Sequence, residues 1–233
     1  MVKVGYCFPF EIGGLLEDSR ITRCSIKDLY GFTASSKDLF QRCPATQEYI
    51  KNTFLINPSR HEQIIIKGYD PKNDHFQLSG SFEPEPDEFG FRYIEDDRVM
   101  VQMRGMSVFF FTDTPDVKAV VQGTIQTNRS VVRGCINVSD FPRTVHPAFH
   151  CRIGDEIQLD PKMPELSVTF ITPNAEPVSL VPCSIPQIYR VTSELEAYNI
   201  RRKKFGWREF FLRAKKLRMK DQVERYRLGK DEF

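Results

Sequence analysis

The chain has 233 residues, 33 Lys and Arg against 31 Asp and Glu, and a net charge of +2, enough length for one large domain or two smaller ones that bury roughly 70–75% of the unfolded surface. Nineteen Phe, eight Tyr and one Trp supply core volume without covalent staples. Six Cys, at 7, 24, 43, 135, 151 and 183, include no Cys-x-x-Cys pair, which argues against a zinc ribbon and a small secreted disulfide framework and for thiols kept reduced inside a cell.

Met1 to Phe10 lacks the charged region, apolar core and cleavage site of a signal peptide. No uninterrupted apolar stretch of about 18 residues occurs, so no transmembrane segment is expected and the chain should be soluble and intracellular at synthesis. Two short helices are predicted early, one capped by Ser35 or Ser36 and running through Leu39 and Phe40, the other capped by Thr46 and running through Ile50.

Strand signals begin at Phe54. Runs rich in Ile, Val, Phe and Tyr fall at 54–56, 63–67, 76–78, 89–94, 99–103, 107–112 and 117–122, then at 130–138, 155–159, 166–171 and 178–181. Turn chemistry separates them: Asp70-Pro71-Lys72-Asn73-Asp74, Glu95-Asp96-Asp97-Arg98 and Thr114-Pro115-Asp116. The acidic run Glu83-Pro84-Glu85-Pro86-Asp87-Glu88 reads as an exposed loop, because each Pro lacks a ladder donor and the carboxylates repel. The pattern predicts a mainly β body over 1–190, an antiparallel sandwich or jelly-roll-like fold.

Near residue 190 the character changes. Residues 192–228 read as a long basic amphipathic helix, so 191–233 is expected to be a helical extension of the body. Ser193 with Glu196 forms a capping box, and Trp207, Phe210, Phe211, Ala214 and Leu217 share one face. Gly206 marks a kink or break. Charge divides the same way: residues 201–233 hold thirteen Lys and Arg against five Asp and Glu, net +8, leaving −6 on residues 1–200. Arg201, Arg202, Lys203 and Lys204 form a compact cluster beside Trp207, Phe210 and Phe211. Three readings stand for this segment: an aromatic face packed on the body or a second subunit, an anionic partner or nucleic acid held through 201–227, and a membrane surface.

Catalytic signatures are weak. There is no Gly-x-Ser-x-Gly elbow, Gly13-Gly14 is not followed by Lys and Ser, and no cysteine context signals a depressed pKa. Cys151 sits beside His150, but on a strand the two point to opposite faces. Metal chemistry is the sharpest enzymatic alternative. His146 and His150, with Asp140 or Asp155, would make the two-histidine, one-carboxylate set that binds ferrous iron in oxygenases, and a cupin-like β body would suit it.

The segments CPATQEYIKNTF (43–54), GCINVSDFPR (134–143) and FHCRIGDEI (149–157) together resemble a family of uncharacterised proteins encoded by T4-like marine phages. The resemblance implies a viral source, with the host cytoplasm as the place of synthesis and the virion as a further destination, and it transfers no catalytic residue. The reading is therefore a non-enzymatic phage structural or assembly accessory protein. It would act through a protein partner or homo-oligomer, with no cofactor, and the mononuclear non-haem iron oxygenase is the alternative.

Overall fold

The computed structural model describes residues 1–8, 20–25, 28, 43–59, 61–70, 72, 75–80, 89–95, 97–103, 107–124, 130–139 and 143–183. They form sixteen strands and one α-helix, a mainly β protein with predominantly antiparallel pairing. The expected helix at 35–40 and the whole of 191–233 lie outside the described residues. No helix among the described residues is long and apolar enough to cross a membrane.

Four sheets make up the body. The first orders β12 (Arg143–Val145), β8 (Val108–Phe111), β1 (Val2–Cys7) and β16 (Val178–Pro182). The second orders β10 (Ser130–Val131), β13 (Ala148–Arg152), β7 (Arg98–Met103) and β6 (Phe89–Glu95). The third has β11 (Gly134–Asn137), β9 (Lys118–Gly123), β15 (Leu166–Ile171), β3 (Thr53–Ile56) and β2 (Ile21–Arg23). The fourth has β14 (Glu156–Leu159), β4 (Glu62–Asp70) and β5 (His75–Gly80).

One apolar cluster joins all four sheets, drawing Val4 and Phe110 from the first, Val101 and Phe149 from the second, Val168 and Phe170 from the third, and Ile66 and Ile157 from the fourth. Alternation explains which residues reach it. In β13, Phe149 and Cys151 are buried while His150 and Arg152 are exposed, as a period of two requires. That places His150 and Cys151 on opposite faces, as expected.

Several expectations need correction. The run at 130–138 is two strands: β10 pairs with β13 in the second sheet and β11 pairs with β9 in the third, with Val132 and Arg133 carrying the chain between them. β1, β2 and β12 carry no long apolar run and are set by their neighbours. β1 is central, antiparallel to β8 and parallel to β16, with Val2 opposite Val178 and Tyr6 opposite Pro182. The predicted Thr46 helix, α1, spans Pro44–Lys51 and starts three residues earlier, because Pro44 suits the first turn and Cys43, not Thr46, takes the N-cap. Two predicted turns close hairpins, β4 to β5 and β6 to β7. At the third, Asp116 holds φ of 60°, the left-handed conformation that Asp tolerates.

Candidate functional site

The partner-binding residues read from the sequence, Arg201, Arg202, Lys203, Lys204, Trp207, Phe210 and Phe211, lie outside the described residues. The described body ends at Cys183, next to β16 at the edge of the first sheet.

Of the proposed metal ligands, three are described and each is engaged or aimed separately. His146 follows β12, and its Nδ1 shares a hydrogen bond with the Ser107 hydroxyl just before β8. A serine on an imidazole is the pairing that general bases make. Ser107, however, is only 2% exposed, so its oxygen offers no approach to a substrate, and the bond ties the link between β12 and β13 to the first sheet. His150 projects from the exposed face of β13. Asp155 accepts a hydrogen bond from the Arg152 N–H at 2.7 Å, closing the turn after β13 in which Gly154 holds φ of 99°. The same turn is sewn to the fourth sheet by the Gly154 N–H donating to the Ile66 carbonyl at 2.6 Å and the Ile66 N–H donating to the Asp155 carbonyl at 3.2 Å. Among the described residues no three His, Cys, Asp or Glu side chains gather into a metal-binding group, and Asp140 lies outside them. The four-residue spacing of His146 and His150 is spread along a bend and a strand, so it does not bring the imidazoles together.

All six cysteines, each a described residue, stand as thiols, in two classes. Burial pushes Cys7 up to about 11 and Cys24 to about 11, the latter also raised by Asp28. Cys183 rises to about 12, chiefly by burial and partly through Cys7. Cys43 goes the other way, correcting the expectation that no cysteine has a depressed pKa. The backbone N–H of Thr46 leads, followed by the Thr46 hydroxyl and the Ala45 N–H, in holding its thiol below the ordinary value. None of these contacts reaches the geometry of a formed side-chain cap, so the pull is that of the converging N–H groups of a helix start. Sequence reasoning missed it although Cys43-Pro44 before a helical run was a readable N-cap signal. Cys135, the exposed thiol, lies on the edge strand β11, whereas Cys43 is half-buried.

At the C-terminal end of α1, Asn52 and Lys51 fasten the helix to the segment before β16. Asn52 Nδ2 donates to the Glu176 carbonyl at 2.9 Å, its Oδ1 accepts from the Val178 N–H at 2.8 Å, and Lys51 Nζ donates to the Ala175 carbonyl at 3.0 Å. These bonds seat β16 beside β1. Comparison with models of known protein families gives no match, and comparison with curated proteins gives none either.

Proposed function

We propose that this protein acts by binding rather than by catalysis, as a phage structural or assembly accessory protein whose basic C-terminal segment contacts a partner subunit or an anionic surface. One observation carries the reading: the net +8 on residues 201–233 against −6 on residues 1–200. A field divided along the chain in this way steers the basic part toward anions and away from other cations. The viral part of the proposal rests on the resemblance of segments 43–54, 134–143 and 149–157. We further infer that the four sheets form a sandwich of jelly-roll type; the packing of Phe110 in the first sheet on Phe170 in the third supports two facing layers. The parallel pairing of β1 with β16 departs from an all-antiparallel roll.

Replacing Arg201, Arg202, Lys203 and Lys204 with Gln tests the reading. If the partner is nucleic acid, the slope of log affinity against log salt should flatten by roughly three units when most of the four contact phosphate. If it is an acidic protein surface, such as the 83–88 loop of another copy, self-association should weaken and nucleic-acid binding should be negligible throughout. An unchanged response in both titrations overturns the assignment of these residues. Near-stoichiometric iron in protein purified without chelator would instead favour the oxygenase.

A further inference from the structure

The parallel ladder of β1 and β16 continues one residue beyond the strands. The Cys183 N–H donates to the Tyr6 carbonyl at 2.9 Å, and in a parallel pair that bond belongs to the residue opposite Cys7. Cys7 and Cys183 are therefore cross-strand neighbours on one face, the face that Cys7 shares with its partner Phe109 on β8. Neighbouring strands lie ~4.7–4.9 Å apart, within the ~4.4–6.8 Å between Cα atoms that a disulfide spans. Both thiols are only 3% exposed. Sγ of Cys183 rests over Gly5, 2.9 Å from where a Cβ would stand, so the bare glycine leaves the sulfur room to turn toward Cys7.

We propose that Cys7 and Cys183 are a thiol-oxidation site, which a small disulfide oxidant of the glutathione class converts into a cross-strand disulfide locking the end of β1 to the end of β16. The thiolate of one cysteine attacks the oxidant, forming a mixed disulfide and expelling one thiolate. The second cysteine attacks that mixed disulfide and expels the other. The pair gives up two electrons and two protons, and the oxidant leaves as two thiols. Burial keeps both sulfurs protonated in the closed fold, so exchange proceeds through transient opening of this sheet edge and is slow. The product joins residues far apart in the chain, which constrains the unfolded state strongly. A chain made in a reducing compartment would thus be locked on reaching an oxidising one.

The test uses the full chain carrying Cys43→Ser and Cys135→Ser, which removes the two cysteines outside the buried class. After incubation with oxidised glutathione, remaining thiols are blocked with N-ethylmaleimide and peptides are mapped by mass spectrometry without reduction. The expected result is one linked peptide joining Cys7 and Cys183, lighter by two hydrogens, cleaved by dithiothreitol, with a higher urea midpoint that Cys183→Ser abolishes. The proposal is overturned if glutathione remains on either cysteine, if linkage goes to Cys24 or Cys151, or if both thiols stay reduced, whether or not they take up N-ethylmaleimide.

Discussion

The rings of Phe110 and Phe170 meet edge to face, with centroids 5.3 Å apart and planes inclined by 83°. Phe110 comes from β8 in the first sheet and Phe170 from β15 in the third, and Phe54 of β3 meets Phe170 again at 5.9 Å. This aromatic contact is where two sheets close on each other, with the positive edge of one ring on the negative face of the next.

Truncating either ring should therefore be costly. Phe110→Ala and Phe170→Ala are each expected to lose about 3–5 kcal/mol, since both rings are almost wholly buried and leave a cavity. Urea unfolding of the single and double variants checks this, and the double loss should fall short of the sum because the rings share a contact.

Asn52 is the polar counterpart. It is buried, and its amide satisfies a carbonyl and an N–H of the chain entering β16. Asn52→Ala leaves the Val178 N–H without its acceptor and the Glu176 carbonyl with the Thr172 hydroxyl alone, and should cost about 1–3 kcal/mol. Asn52→Asp, which keeps the acceptor but loses the donor to Glu176, should also destabilise at neutral pH. Equal unfolding midpoints for wild type and both variants would remove this role.

A Cβ on Gly5 would stand 2.5 Å from the Phe111 ring and 2.9 Å from Cys183 Sγ, whereas one on Gly134 meets nothing within 4 Å. Gly5→Ala should cost about 1–3 kcal/mol by overpacking. Gly134→Ala should be neutral or slightly stabilising, because alanine loses less backbone freedom on folding. Thermal unfolding of the two variants side by side gives the comparison.

The thiols predict two pH effects. Cys7 and Cys24 are raised from 9.0 to about 11 and Cys183 to about 12, so the folded chain holds these protons more tightly than the unfolded one. Their contribution to stability is full below pH 9.0 and is lost as pH rises toward those folded values. The urea midpoint should fall above pH 9.0, less steeply in Cys183→Ala. Cys43, held below its ordinary value, should react with iodoacetamide at neutral pH faster than Cys135, which is also solvent-accessible. Peptide mapping at short reaction times reads the order.

Deleting residues 193–233 should leave a β body that unfolds cooperatively while its oligomeric mass or partner binding changes. The described core cluster draws on all four sheets within residues 1–183. Sedimentation and circular dichroism of the truncated chain check both halves, and an insoluble or molten product would mean that the deleted segment completes the core.

The sequence by itself determined the class of the fold, the strands with dense β-branched and aromatic runs, and the hairpins whose turns carry Asp, Asn and Pro. Strand formation there follows from local preference and from the period of two, which also put His150 and Cys151 on opposite faces. The charge division at residue 200 is likewise a property of the chain alone. Only the tertiary structure decided the place of β1. The expected strands began at Phe54, and the pairing partners of β1 are β8 and β16, roughly a hundred and more residues away; no local signal encodes a register over such a loop. The same holds for the split of 130–138, where two short strands join different sheets, and for the separation of His146, His150 and Asp155, whose nearness along the chain is undone by a bend, a strand and a turn. Cys7 and Cys183 show the converse: 176 positions apart in sequence, they become neighbours because parallel pairing brings the end of β1 beside the end of β16.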